Sequence, residues 1–483
     1  MILKLCLGIF LIIFILLAIT LIKTLLVPKP NKVTEIPTPI DINRANAYGS
    51  SLSKLIKIET ISSRDDNSRE KFFLFHKELE NLFPLIHKNC EKMVFNGSLL
   101  FKWEGESNQK PIMLMSHHDV VEAPGNWTHP PFSGEIADGV LWGRGTVDTK
   151  GNLFCFLTAV EELIAEGFIP KTDIYLTSTC TEEWAGEGGC LINEYFKSNN
   201  IKLEMILDEG GMVVDEPIKG VLGKYAMIGV LEKGIGDLKF TARGSGGHAS
   251  APPLNSPISR LAAFINQVES HNPFKIEFNS TVIEMYKRLT PSMSFPMKYI
   301  FSNLWLFKPL LKKLMPSISS AGTAMLKTTC AFTTQKGSAG LNVLPQEAYV
   351  TANMRFIPHQ GTDESIKIIS DIAKQYNIET EVIHKGYPCP VVDYNSPIFK
   401  LVEDTVKKIY PGVPSTPYVM TGATDCKFFS DVCENSIRFA PLSISAKQMD
   451  SVHALDENID IPTLVTGVDF FKTILSDWNK IYS

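Results

Sequence analysis

Three apolar runs that end in metal-binding side chains are the strongest constraint on how this chain folds. The run PIMLMS stops in front of His117, DIYLTSTCT in front of Glu182 and Glu183, and EMIL in front of Asp208. Helical patterns such as GNLFCFLTAVEELIAEG separate these runs, and this alternation predicts an α/β domain with a mostly parallel sheet. Of two adjacent carboxylates, one can bind a metal while the other takes a proton from water, so the pattern indicates a two-metal hydrolase.

A different order of elements begins near Gly234. Strand and helix patterns follow one another there as β-α-β-β-α-β, which is the order of a ferredoxin-like α+β domain. An apolar insertion over 283–326 separates the first helix of this unit from its second strand. The sequence therefore predicts a catalytic domain over 45–234 and 389–483 that is interrupted by a smaller lid domain over 235–388.

The N-terminal residues have the composition of a membrane segment. Residues 5–22 contain no charge, and Lys4 and Lys23 flank them. An uncharged apolar run of this length is typical of a membrane helix, although a long signal peptide has the same composition. We favour an uncleaved anchor over 1–27, because no small-x-small cleavage site follows, and we expect a linker over 28–44.

Both interpretations of the N-terminus place the rest of the chain outside the cytosol, either anchored or secreted. Glycosylation sequons at Asn96, Asn126 and Asn279 agree with that location. Nine cysteines without a CxxC pair argue against a cysteine zinc site and leave one or two disulfides open. The net charge of −5 and the absence of a Lys/Arg run argue against nucleic acid as a partner.

Side-chain geometry distinguishes the residues that follow the first apolar run. Because side chains alternate along a strand, His117 and Asp119 share one side while His118 faces the other. We expect His117 to bind a metal and Asp119 to hold its ring. Asp148 lies in the Gly-rich stretch GVLWGRGTVDTKG, where its two oxygens can face two cations or cap the following helix. The stretch lacks the GxGxxG and P-loop patterns, so it does not indicate phosphate binding.

Six short motifs stand in a fixed order along the chain: SHHDVVEAP, GRGTVDTKG, TEEWAGEGG, ILDEGG, GSGGHASAPP and SVHALDE. From about Ala45 onward, they resemble the metallopeptidase family of glutamate carboxypeptidase, aminoacylase and carboxypeptidase S. The segments FSNLWLFKPLL, NVLP and MRFIPHQ are more similar to the branch of that family that synthesises and hydrolyses N-fatty-acyl amino acids.

The resemblance implies a pair of zinc ions held by nitrogen and oxygen donors. One ion is expected on His117, Asp148 and Asp208. The other is expected on Asp148, Glu183 and His453, so that Asp148 bridges the two ions.

The resemblance also implies the catalytic groups. Glu182 is expected to accept the proton of the attacking water and to pass it to the leaving amine, with Asp119 in support. His248, from the same chain or from a dimer partner, is expected to reach the oxyanion. The peptide bond that follows Asp148 is expected to be cis.

Substrates of such enzymes carry a free carboxylate beside the amide, and the resemblance assigns its binding to Arg355 in MRFIPHQ. Gly422, Thr424 and Lys427 in TGATDCKFF match a loop that contacts substrate. Lys427 stands where the family usually has arginine, so the point charge of an ammonium group replaces the planar fork of a guanidinium.

These implications predict a zinc-dependent amidohydrolase that cleaves N-fatty-acyl amino acids and can also form them. The alternative is a carboxypeptidase that acts on short peptides with the same metals and base. A catalytically inactive binding protein is disfavoured, because all five ligand positions and Glu182 are present. The insertion either lines an acyl channel, touches the bilayer or packs within an enlarged lid. Expected partners are a small acyl amino acid or peptide, the membrane through the N-terminal helix, and a second copy of the chain.

Overall fold

The computed structural model of the protein describes residues 2–29 and 40–481. Most of the predicted linker, residues 30–39, lies outside the described part of the chain. Helix α1 (Ile2–Leu25) is long and apolar enough to cross a membrane, and nearly all of its side chains from Lys4 onward are exposed. A signal sequence would pass the same test of length and composition.

The remaining elements follow in three segments. The first contains α2 (Ile42–Ile56), α3 (Glu70–Leu82), α4 (Pro84–Asn89), β1 (Glu91–Phe95), β2 (Ser98–Trp103), β3 (Ser107–His117), β4 (Ile136–Ala137), β5 (Val140–Trp142), α5 (Lys150–Ala165), β6 (Thr172–Thr179), α6 (Gly188–Ser198), β7 (Met205–Asp208), β8 (Val213–Asp215) and β9 (Lys224–Glu232). The second contains β10 (Gly234–Arg243), β11 (Gly247–His248), α7 (Pro257–Ser270), α8 (Ser280–Leu289), α9 (Phe295–Phe301), α10 (Leu304–Ile318), α11 (Ser320–Ala324), β12 (Thr329–Lys336), β13 (Val343–Leu344), β14 (Glu347–Phe356), α12 (Thr362–Gln375) and β15 (Ile378–Lys385). The third contains α13 (Pro397–Ile409), β16 (Ser415–Met420), β17 (Ser436–Arg438), β18 (Ser443–Ile444), α14 (Ala446–Ser451), β19 (Asn458–Asp460) and α15 (Pro462–Ile481).

The central sheet joins strands from the first and third segments, which we call the catalytic unit. Its order is β1-β2-β6-β3-β7-β17-β9-β8-β18, with β16 paired to β9. Strands β6, β3, β7 and β17 run parallel, and antiparallel strands extend the sheet on both sides. Strand β6 is buried along its whole length, as expected for an apolar strand in the middle of a covered sheet. Helix α5 packs on β3 and on α15. The predicted α/β class is therefore confirmed.

The lid contains a four-stranded antiparallel sheet in the order β12-β14-β10-β15. Side chains of β14 alternate between buried and more exposed, so one face of the sheet packs and the other faces outward. Helix α7 lies against β10 and β14, and α12 against β15. Together with the chain order β10-α7-β12-β14-α12-β15, this confirms the ferredoxin-like plan of the lid.

The apolar insertion forms the helices α8–α11, which pack on the catalytic unit. Met285, Leu289 and Leu311 are buried in the same apolar cluster as the catalytic core, whereas the lid sheet has a cluster of its own. Helix α8 lies directly against β16. The insertion is thus continuous with the lid in sequence and part of the catalytic unit in space.

The predicted glycosylation sequons and the cysteines differ in how far they fit a secretory chain. Asn96 and Asn126 are exposed. Asn279 caps α8, because its Oδ1 accepts the backbone N–H of Val282 at 2.9 Å and its Nδ2 is buried. Folding therefore leaves two of the three predicted sequons open to the solvent. All nine cysteines lie in the described residues and are unpaired, so the disulfides left open by the sequence are not formed here.

Candidate metal centre

Five side chains from separate segments converge at the carboxyl ends of the parallel strands. His117 ends β3, Glu209 follows β7, and Glu183 lies in a 3-10 turn after β6. Asp148 lies just before α5, and the peptide bond that follows it is cis, as the family likeness implied. His453 follows α14 in a left-handed conformation with φ of 59°. Neighbouring parallel strands end at the same edge of a sheet, and this brings the loops together.

Asp148 links the two halves of this cluster. Its Oδ1 lies 3.1 Å from His117 Nε2, and its Oδ2 lies 3.0 Å from His453 Nε2. His117 Nε2 is also 3.2 Å from Glu209 Oε1, and His453 Nε2 is 3.1 Å from Glu183 Oε2. The result is two groups of three donors that share one carboxylate, with the donor atoms of each group within 4.8 Å of one another.

Glu209 completes the first group at the position for which the family likeness implied Asp208. Asp208 points away from His117, because its Oδ1 accepts the N–H of Glu209 at 2.8 Å and its Oδ2 accepts that of Cys426 at 3.1 Å. Asp208 instead supports the loop that carries Lys427.

The donor set fits bound divalent ions. Glu183 Oε1 is buried without a hydrogen-bond partner among the described residues. Burial, opposed by His117 and reinforced by Asp148, raises the pKa of Glu209 to about 8. Carboxylates packed this closely repel one another unless cations lie between them, and imidazole with carboxylate oxygens is a donor set that zinc accepts.

Asp119 supports the centre from behind. Its two carboxylate oxygens accept the backbone N–H groups of Glu182 and Glu183, each at 3.2 Å. Ser62 donates to the same carboxylate at 2.5 Å. His117 Nδ1 lies 2.9 Å from the backbone carbonyl oxygen of Asp119 and 3.4 Å from its carboxylate. The ring is therefore held mainly by the main chain, while the carboxylate fixes the turn that carries both glutamates.

Glu182 stands beside the cluster without joining it. Among the described residues, its carboxylate accepts no hydrogen bond from a protein group, whereas its backbone N–H is held by Asp119. Burial raises the pKa of Glu182 well above its ordinary value; His117 opposes the shift, and the Asp425 and Glu209 carboxylates add to it. A carboxylate in such surroundings takes up a proton readily, as a general base must.

Three of the predicted residues are not turned toward the centre. His248 is exposed, and its Nδ1 lies 2.7 Å from Ser250 Oγ. The hydroxyl of Thr424 donates to Glu232 Oε2 at 2.9 Å, so a protein carboxylate already occupies it. Gly422 lies in the exposed part of the same loop.

Arg355 and Lys427 are buried cations whose donors lack partners. Arg355 Nε donates to Asn353 Oδ1 at 3.1 Å, but its Nη1 is buried without an acceptor among the described residues. Lys427 Nζ is also buried, forms no hydrogen bond with residues 2–29 or 40–481, and lies 3.9 Å from Asp425 Oδ1. Burial opposes the charge of Lys427, but Asp425 and Glu182 raise its pKa above the ordinary value. Burial lowers the pKa of Arg355, and the Glu232, Asp237 and Glu182 carboxylates oppose that shift.

Glu457 is a buried support of the centre that sequence reasoning missed. Its carboxylate accepts the N–H groups of Val147 at 2.9 Å, Asp148 at 3.1 Å and Gly145 at 3.1 Å. Arg144 NH1 donates to it at 2.8 Å, and both side chains of this pair are almost fully buried. One carboxylate thus holds the loop that presents Asp148. Glu457 stands four residues after His453 in the motif SVHALDE, and this position was the one sign in the sequence that it belongs to the site.

Known proteins resemble this chain in sequence and in fold. The model of peptidase family M20/M25/M40 matches residues 113–477. The chain is 33% identical to the probable carboxypeptidase S-like 2 of Dictyostelium discoideum, over 93% of this chain and 88% of that protein. It is 31% identical to the N-fatty-acyl-amino acid synthase/hydrolase PM20D1 of Homo sapiens, over 92% of this chain and 90% of that protein. An M20 family metallo-carboxypeptidase from Sulfolobus solfataricus has a similar fold, with a TM-score of 0.67 and 18% identity, over 90% and 99% of the two chains.

Proposed function

The chain belongs to peptidase family M20/M25/M40, and from this premise we propose that it hydrolyses N-fatty-acyl amino acids to a fatty acid and a free amino acid. Membership of the family confirms the likeness carried by the six motifs and makes the protein a metallopeptidase-type hydrolase. The substrate is the part of the proposal that requires further argument.

In this proposal two zinc ions occupy the centre. His117, Asp148 and Glu209 would hold one of them, and Asp148, Glu183 and His453 the other. The shared role of Asp148 is supported by its two oxygens, which face different histidines. Bound ions would act as Lewis acids that acidify a water molecule and polarise the amide carbonyl.

Glu182 is the proposed general base. It takes a proton from the water as the water oxygen forms a bond to the acyl carbon. The C–N bond then breaks, and Glu182 delivers the proton to the leaving nitrogen. The products are a fatty acid and an amino acid, and the reverse sequence forms the amide when both are abundant. His248 contributes to oxyanion stabilisation only after lid movement or from a second copy, because its ring is exposed in this conformation.

The observation that favours a substrate with a free carboxylate is a pair of buried cations, Arg355 and Lys427, that retain donors without hydrogen-bond acceptors among the described residues. Within the described part of the chain, no acceptor meets Arg355 Nη1 or Lys427 Nζ, and leaving buried donors unpaired is costly. The carboxylate of an acyl amino acid would satisfy them, and charge-assisted bonds of this kind are strong.

Short peptides also carry a terminal carboxylate, so a carboxypeptidase remains the second candidate. It is favoured by the similarity to the carboxypeptidase S-like protein of Dictyostelium discoideum. The two candidates use the same metals, base and cations. They differ in the acyl side of the substrate, where one requires a fatty chain and the other an aminoacyl group.

A three-substrate comparison tests the proposal. We expect rapid hydrolysis of N-oleoyl-phenylalanine and loss of that activity with a chelator, restored by zinc. N-oleoyl-phenethylamine lacks only the carboxylate and should react ~10–100-fold more slowly, because a charge-assisted hydrogen bond contributes about 1.5–3 kcal/mol. Preference for the dipeptide Ala-Phe would select the carboxypeptidase. Equal rates with and without the substrate carboxylate would refute the role of Arg355 and Lys427.

We also infer that the catalytic unit lies outside the cytosol, in the secretory route. The apolar helix α1 and the two exposed sequons support this location. Protection of the catalytic unit from protease in sealed microsomes, and its loss after detergent treatment, would test the inference. Digestion of the catalytic unit in intact microsomes would reject it.

A further inference from the structure

Buried polar side chains join the last turns of α1 to the insertion. Thr20 and Thr24 are one helical turn apart and are 0% and 2% exposed. Thr20 Oγ1 lies 2.6 Å from Tyr299 OH, and Thr24 Oγ1 lies 3.0 Å from Ser302 Oγ. Asn303, which is fully buried, donates through Nδ2 to Thr20 O at 3.1 Å and to Thr24 Oγ1 at 3.2 Å. We call these five residues the polar clamp.

The polar clamp lies where a membrane-spanning α1 would leave the hydrocarbon. Thr20 is 18 residues after the start of α1, or ~27 Å along a helix that rises ~1.5 Å per residue, against a hydrocarbon core of ~30 Å. Almost all side chains before the clamp are exposed and apolar. Between the two threonines of the clamp stands Lys23, whose Nζ lies 5.6 Å from the ring centre of Trp305. Lysine and tryptophan at this depth are typical of a membrane interface.

The insertion continues this interface with an apolar and cationic surface. Large apolar side chains of α10 remain exposed beside the clamp: Trp305, Leu306, Leu310, Leu314 and Ile318. No acidic residue occurs between Glu284 and Glu347, although the chain as a whole has a net charge of −5. In that stretch, the helices α9 and α10 carry four lysines: Lys298, Lys308, Lys312 and Lys313. Exposed apolar side chains interspersed with lysine favour the surface of a lipid bilayer.

We propose that α1 stays attached as an anchor and that α10 lies on the bilayer surface beside it, so that the polar clamp fixes the enzyme against the membrane. A signal peptide that is removed has no use for buried hydrogen bonds to the folded enzyme. A bilayer suits the α10 surface better than a second copy of the chain, because this surface is continuous with a helix that is long and apolar enough to cross a membrane. Polar side chains that pair between helices at a membrane also stabilise their association. The proposal is independent of the substrate, and its test reads lipid contact and not hydrolysis.

Fluorescence quenching by lipid tests the position of Trp305. The full chain is reconstituted as one copy per nanodisc, with either ordinary or brominated phosphatidylcholine. We expect brominated lipid to quench a component of the tryptophan emission that is lost in Trp305→Phe. Single-copy discs exclude a second copy as the cover of α10. Equal quenching of the wild type and Trp305→Phe would overturn the proposal.

Two further measurements separate anchoring from surface contact. The double variant Leu310→Glu/Leu314→Glu should reduce the quenching of Trp305 emission by brominated lipid, because the added charges lift α10 from the lipid. The control Ile169→Glu, at a position that is 64% exposed in the catalytic unit, should leave it unchanged. Equal reductions in both variants would refute the surface contact. Intact mass of the protein from a eukaryotic secretory host should include α1, and a chain that begins after residue 25 would refute retention of the anchor.

Discussion

Replacing Glu457 by glutamine should destabilise the metal centre although Glu457 is not a predicted ligand. The amide oxygen of the glutamine can still accept the N–H groups of Val147 and Asp148. Its NH₂ group would then face Arg144 and the N–H of Gly145, so donors would meet donors. The guanidinium would be left buried without its counter-charge, since the side chains of the pair are 2% and 0% exposed.

The size of this effect follows from the burial of the pair. Breaking a buried ion pair by removing one partner costs ~3–5 kcal/mol. At the ~2 °C per kcal/mol of a large unit, this corresponds to a fall in Tm of ~6–10 °C. Because the loop presents Asp148, we also expect zinc affinity to fall about 10–100-fold, as for other supports of metal ligands.

Thermal unfolding of the purified full chain, followed by tryptophan fluorescence, measures the first effect. Zinc content after dialysis against a buffered chelator measures the second. Glu106→Gln is the matched control, because the Glu106–Lys171 pair has a similar distance of 2.9 Å but is 53% and 33% exposed. Exposed pairs of this kind contribute ~0–1 kcal/mol. If Glu457→Gln lowers Tm and zinc content no more than the control does, the assigned support of the Asp148 loop is refuted.

Three other perturbations have defined outcomes. Glu182→Gln should keep the metal content and lower kcat ~10²–10⁴-fold, and near-normal turnover would exclude it as the base. Arg355→Lys should raise KM for acyl amino acids about tenfold with little change in kcat, because one of the charge-assisted bonds is lost; an unchanged KM would contradict carboxylate binding. Burial lowers the pKa of His76 to about 4, from 6.5 in the unfolded chain. The unfolded chain therefore binds more protons between these values, and lowering the pH from 7.5 to 5.5 should remove about 1 kcal/mol of stability. His76→Gln can keep the hydrogen bond to Gly97 O, which is 2.9 Å long, and should show a smaller fall in Tm over that range than the wild type.

Sequence patterns predicted those features that depend on local order along the chain. Apolar runs with helical patterns between them identified the sheet, and the β-α-β-β-α-β order identified the lid. Motif positions placed His117, Asp148, Glu183 and His453 in one cluster, and the structure brings these four together. Features that depend on which way a side chain turns after a strand ends were harder to predict, because alternation stops where the extended backbone stops.

The first metal group illustrates this difficulty: Asp208 was predicted as its third donor, but the structure places the neighbouring carboxylate of Glu209 there. Glu457 was missed because its role is to accept hydrogen bonds from a loop about 310 residues earlier in the chain, and composition gives no sign of that contact. The insertion was assigned to the lid because it is contiguous with it in sequence. Its apolar periodicity indicates buried helices but does not identify the neighbour against which they pack.

The position of His453 and Glu457 near the end of the chain has a consequence for biosynthesis. The ribosome must complete 270 residues after Glu183 before His453 exists, since 453 − 183 = 270. A nascent or truncated chain that lacks the last forty residues can fold parts of its sheet but has neither the second histidine nor the brace of the Asp148 loop. We therefore expect the candidate metal centre to be completed only when translation is nearly finished, because one of its two three-donor groups depends on His453.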